Sequence, residues 1–135
     1  MENHAFEKET LTVYVAAESF PEGVLKAHQT LHAAVGRSDD RRYFGISWPD
    51  GNGGIHYLAA AEVLEKTEPE SLGLKTFTIR EGPYIGITLR NYMQDIPAIG
   101  RSFEILLDDP RIAHDGYCLE WYLSEEEMIC LVPIE

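Results

Sequence analysis

Residues 75–107 read KTFTIREGPYIGITLRNYMQDIPAIGRSFEILL. Two β-rich runs, Lys75–Ile79 and residues 84–89, precede apolar side chains at Ile96, Ile99, Phe103, Leu106 and Leu107, a spacing that marks one face of a helix. Pro97 fits its first turn, where a missing N–H removes no helical bond. Beyond it, residues 117–123 (YCLEWYL) and 128–134 (MICLVPI) flank the polar residues 124–127 and predict a hairpin. Pro133 predicts a strand end or an edge there.

The same order stands upstream. Residues 11–15 (LTVYV) read as a strand, and Val24, Leu25, His28, Leu31, His32 and Val35 as a helix face. Pro21 suits the first turn of that helix and Gly36 its stop. Residues 37–42 form a loop. Residues 43–48 and 55–63 then predict two strands around the turn 49–54 (PDGNGG), whose glycines tolerate positive φ. Residues 65–73 connect the halves.

An offset of 75 residues lays the second half on the first without a gap from strand through helix to strand, placing Val24 on Ile99, Leu31 on Leu106 and Ile46 on Trp121. The expected fold is α+β: one domain, 1–135, built from a tandem strand-helix-strand-strand repeat with units at about 9–64 and 74–135. Side by side the units make one antiparallel sheet with two helices on one face and an open cleft on the other.

Composition narrows the function. Apolar residues make up 44% of the 135 and charged residues 25%, which places the chain among globular proteins. With 11 Lys and Arg against 23 Asp and Glu, a net charge of −12 opposes the phosphates of DNA or RNA, so no direct nucleic-acid binding is expected. The same field favours cationic ligands or a basic protein partner, and it also serves solubility. Residues 1–8 lack the order of a secretion signal, and no apolar run approaches the roughly 18 residues of a membrane span, so a cytoplasmic protein without membrane contact is expected. Cys118 and Cys130 read as free thiols.

Cofactor and metal motifs are not found. Gly51-Asn52-Gly53-Gly54 joins two strands and does not open a helix, as a phosphate loop must. His28 and His32 have the i, i+4 spacing of metal ligands, but both fall on the apolar stripe with no third ligand at a recognisable distance, so they read as core or boundary residues. No serine-hydrolase elbow is present. No metal and no cofactor are expected.

Strand alternation puts Leu119, Trp121 and Leu123 on one face, expected under the helices, and Cys118, Glu120 and Tyr122 on the other. A carboxylate in the middle of an apolar and aromatic strand is costly unless solvated or paired. Glu120 therefore reads either as an exposed strand residue or as the charge of a small-molecule site. In the second reading Tyr122, Trp48, Tyr57, Tyr84 and Tyr92 are the aromatic candidates for ligand contact and cation–π attraction. At the offset of 75, Glu120 falls on Gly45, so a charged site would be one-sided.

Residues 76–106, followed by Leu119-Glu120-Trp121-Tyr122-Leu123, resemble the GyrI-like small-molecule-binding family, with Gly82-Pro83-Tyr84 in place of its Gly-x-Tyr and Glu120-Trp121-Tyr122 in place of its Glu-x-Tyr. The resemblance implies a stand-alone relative of the effector-binding domains of multidrug-responsive regulators, without a DNA-reading domain ahead of it. Glu120 would lie in an aromatic pocket for lipophilic, often cationic compounds. It also admits a hydrolase of cyclopropane-bearing toxins, with Glu120 as the general base. An acidic protein-interaction module and a homodimer are further expectations for its partners.

Overall fold

The sheet carries an apolar core on each of its two faces. A computed structural model describes residues 1–36 and 38–135. Arg37, at the start of the expected 37–42 loop, lies outside the described residues. The strands are β1 (Glu2–Phe6), β2 (Thr10–Ala16), β3 (Tyr43–Pro49), β4 (Ile55–Glu62), β5 (Lys75–Ile79), β6 (Gly82–Arg90), β7 (Cys118–Tyr122) and β8 (Glu127–Pro133). They form one antiparallel sheet in the order β1-β6-β8-β7-β3-β4-β2-β5. Helices α1 (Val24–Val35) and α3 (Pro97–Leu107) pack on β2 and β4 and on β6 and β8, respectively. The expected α+β class with both long helices on one face is what the chain adopts.

Element ends follow local chemistry. Pro97 is the first residue of α3, whereas α1 starts at Val24 and leaves Pro21 in the turn before it. Gly36 ends α1 with φ 74°, a conformation a side chain would strain. The 65–73 connector contains a short helix, α2 (Glu68–Leu72), closed by Gly73 at φ 66°. Arg41 ties it down from the buried side: Nη1 donates to the carbonyl of Glu62 at 2.9 Å and Nη2 to Glu68 Oε2 at 2.8 Å. That guanidinium holds the Glu68 carboxyl down to about 2.

The sequence order strand, strand, helix, strand, strand occurs twice, as β1-β2-α1-β3-β4 and β5-β6-α3-β7-β8. At the centre of the sheet Gly45 pairs with Glu120, its own counterpart at the 75-residue offset, so an approximate twofold axis passes between them. The leading strand of each half is exchanged: β1 pairs with β6 and β5 with β2. Strand β1 has little intrinsic β preference in its sequence ENHAF and is fixed by this tertiary pairing.

The face turned away from the helices is the inside of a curl. Phe6, on an edge strand, brings its ring to 5.0 Å from Tyr84, 6.0 Å from Trp121 and 6.4 Å from Phe44, the last two lying on the central strands. Phe44, Ile46, Ile79, Tyr84, Leu119 and Leu131 complete a buried cluster there. Beneath α1 the core is Val13, Ala27, Leu31, Ala59 and Ala61; beneath α3 it is Ile85, Phe103, Leu106, Met128, Cys130 and Val132.

This arrangement reverses the faces expected for β7. Leu119 and Trp121 pack inside the curl, while Cys118 and Tyr122 pack with the α3 cluster, so Glu120 points to the helix side. Alternation groups the residues correctly but does not say which group meets the helices, because the curl gives the second face an apolar core of its own.

If β1 is integral to the curl, Phe6→Ala should cost about 3 kcal/mol or more, as buried aromatic truncations do. Urea denaturation followed by circular dichroism reads this as a lowered midpoint, and an unchanged midpoint would show that the edge strand is dispensable.

Candidate functional site

Since α1 and α3 sit on the outer strand pairs, the central pair β3–β7 lies between them as the floor of a groove. Glu120 stands on this floor, 9% exposed. Its Oε1 accepts hydrogen bonds from Tyr57 on β4 at 2.7 Å and from Tyr122 on β7 at 2.5 Å, and the two hydroxyls are 3.2 Å apart. His28 of α1 places Nε2 2.8 Å from the Tyr57 hydroxyl. With the only Tyr57 proton given to Glu120, His28 is the donor in that contact. A Cβ at position 45 would overlap both the Tyr57 hydroxyl and Glu120 Oε1, so glycine is required there for space and not for backbone freedom.

The electrostatics follow from burial. Among the described residues no Lys or Arg forms an ion pair with Glu120. Burial raises its carboxyl above the ordinary range, and the two tyrosine bonds offset only part of that rise. Burial and the neighbouring Glu120 also push Tyr57 and Tyr122 well up, which keeps both hydroxyls protonated as donors. His28 is pushed down to about 4 by burial, with His32 adding to it, so its ring is neutral at ordinary pH. Burial first and Glu120 second raise Cys118 to about 11 and Cys130 to about 12, leaving both thiols protonated and poorly nucleophilic.

Four of the six residues singled out in the sequence lie together: Glu120, Tyr57, Tyr122 and Tyr92, whose ring is 5.9 Å from that of Tyr122. Trp48 and Tyr84 do not join them. Trp48 is an odd number of residues from Gly45 and so faces into the curl, where it stacks on Phe77 at 6.1 Å. Tyr84 is buried in the same face and hydrogen-bonds the Arg80 carbonyl and the Tyr117 hydroxyl, each at 2.8 Å. The curl also holds a shallow depression of about 370 Å³, lined by Trp48, Phe77, Arg80, Asp115 and Tyr117 among others.

Two residues near Glu120 were not expected. His28 reads as a core histidine in the helical stripe, yet that stripe aims it at Tyr57. Phe20, 41% exposed, sets its ring 5.9 Å from Tyr57 at one lip of the groove. Further exposed apolar residues stand near the N-terminal ends of both long helices: Leu25, Met93 and Ile96. His32 stacks on Tyr43 and so diverges from His28. Among the described residues no group of three or more His, Cys, Asp or Glu is placed to hold a metal, and no helix is long and apolar enough to cross a membrane.

No protein-family profile matches the chain. No curated protein matches it in sequence. Solved structures do match it in shape. An integron cassette protein from the mobile metagenome of Vibrio cholerae superposes with a TM-score of 0.75 at 10% identity, covering 99% of this chain and 95% of that one. A protein solved with tetraphenylphosphonium bound gives 0.67 at 9% identity, covering 99% and 93%. A hydrolase from Listeria innocua gives 0.65 at 14% identity, covering 99% and 90%. At such identities the likeness is one of fold.

Two outcomes test the site as described. The raised Glu120 carboxyl binds its proton more tightly in the folded state, so its stability contribution is full below the ordinary carboxylate range and is lost as pH rises through the raised value. Glu120→Gln should therefore melt higher than wild type near pH 8, by a few degrees or on the order of 1 kcal/mol, with the gap closing towards about pH 4. A pH-independent difference in Tm would contradict this. Gly45→Ala should lower stability by roughly 1–3 kcal/mol through overpacking, and Tyr57→Phe in the same chain should recover part of it by removing the struck hydroxyl. Strict additivity of the two changes in denaturant melts would place the clash elsewhere.

Proposed function

We propose that the chain binds an amphipathic aromatic cation in the groove between α1 and α3, with Glu120 as counter-charge, in the manner of a stand-alone GyrI-like effector-binding domain. The observation that carries this reading is a carboxylate nine-tenths buried, held by two neutral hydroxyls and paired with no cation among the described residues. A charge in that position is destabilising until an opposite one joins it. The surroundings suit a lipophilic cation: Tyr122, Tyr92 and Phe20 offer apolar contact area and ring faces, each cation–π contact being worth about 0.5–2 kcal/mol.

Two further facts support the reading. A protein of the same fold is known with the lipophilic cation tetraphenylphosphonium bound. The net charge of −12 concentrates cations at the surface and repels nucleic-acid phosphates, which favours a cationic ligand over DNA.

Titration with tetraphenylphosphonium, by calorimetry and by thermal shift, should show saturable binding and a Tm that rises with ligand concentration. Glu120→Gln should weaken the affinity at least about tenfold, the scale of a lost charge-assisted contact. Equal affinity in the two proteins would remove Glu120 from the role, and no binding by wild type would remove the cation reading.

A further inference from the structure

Both tyrosine hydroxyls that reach Glu120 converge on the same oxygen, Oε1. Among the described residues nothing donates to Oε2, and the one fully enclosed side-chain nitrogen or oxygen without a partner is Arg41 Nε, so Oε2 is not fully enclosed. A proton on Oε2 leaves both tyrosine bonds in place. A ligand's positive charge set against Oε2 leaves them in place as well. The two occupants compete for one position on a framework that need not move for either.

We propose that the groove takes up its ligand's positive charge in exchange for a proton on Glu120, and that it admits one such charge and discriminates against two. The inference rests on the cation-binding reading above.

The groups facing Glu120 from each packed element decide the charge count. Tyr57 comes from β4, Tyr122 and Cys118 from β7, Cys130 from β8, His28 from α1 behind Tyr57, and Tyr92 from the 3-10 turn before α3. The hydroxyls and thiols are all raised, and His28 is lowered to about 4, so every one of them is neutral near pH 7. The twofold-related position is Gly45, which has no side chain to supply a second acid. Protonated Glu120 and a monocation therefore give a neutral ion pair and one proton released to solvent. A dication would carry an unmatched charge into the same desolvated groove, at a cost that a single carboxylate cannot offset.

Calorimetry of tetraphenylphosphonium binding in two buffers of different protonation enthalpy measures the protons released. Release should approach one per ligand on the acid side of the Glu120 titration, where affinity climbs about tenfold per pH unit, and should fall to zero on the alkaline side, where affinity is flat. Glu120→Gln, shown to be folded by its own melt, should release none. A bisquaternary ligand should bind at least about tenfold more weakly than a monoquaternary ligand with the same aromatic core. Binding without proton release from about pH 5 to 9, or equal affinity for the two ligands, overturns the exchange while leaving cation binding intact. Failure of wild type to bind tetraphenylphosphonium overturns the cation reading and the exchange with it.

Discussion

A carboxylate held by two tyrosine hydroxyls at the centre of the sheet constrains the structure around it. Buried, and with no cation partner among the described residues, Glu120 is tolerable only while those donors reach it. They reach it only in one strand register. Tyr57 lies on β4, two strands from Glu120, and its hydroxyl must cross β3 at a residue without a side chain. A slip of one residue would present Phe44 or Ile46 at that point and turn Glu120 into the curl, among Leu119, Leu131 and Ile129. The bond from His28 extends the constraint to α1, whose rotation about its axis is fixed by both Leu31 in the core and His28 on Tyr57.

The approximate twofold axis shows how one half has been specialised. His28 corresponds to Phe103, which packs in the apolar cluster beneath α3. Tyr57 pairs with Ser47, and Met128 pairs with Tyr122, the residue 75 positions after Ser47, so the counterpart of Tyr57 is the buried Met128. Glu120 faces Gly45. Each polar member of the network thus has an apolar or small mate. Two carboxylates on the axis would sit opposite one another on neighbouring strands, where like charges in a poorly hydrated place destabilise each other. A single acid with a glycine opposite it removes that repulsion and also makes the room the tyrosine needs.

Much of this was legible in the sequence. The two helical stripes, the hairpins and the 75-residue offset follow from periodicity and turn chemistry, and the offset alone sets Gly45 against Glu120. Which face met the helices was not legible, because Leu-x-Trp in β7 satisfies a helix-covered face and the inside of a curl equally well. The parity of Trp48 relative to Gly45 could have separated it from Glu120; its aromatic character alone could not. Strand β1 was hidden because its order comes from β6 and from the seat of Phe6 beneath the curl, both long-range contacts. His28 was read correctly as lying on the buried stripe, and that burial is what brings it to Tyr57.

In the proposed binding mode, attraction and retention of a cation would rest on different charges. The −12 net charge lies mostly on exposed side chains, and its pull beyond about 8 Å is screened at physiological salt. It would govern how often a cation arrives. Glu120 would act at contact, from beneath two tyrosines, where salt penetrates little and the competing species is the proton. Encounter should therefore answer to ionic strength and retention to pH, a separation that follows from placing one acid inside the fold and the others around it.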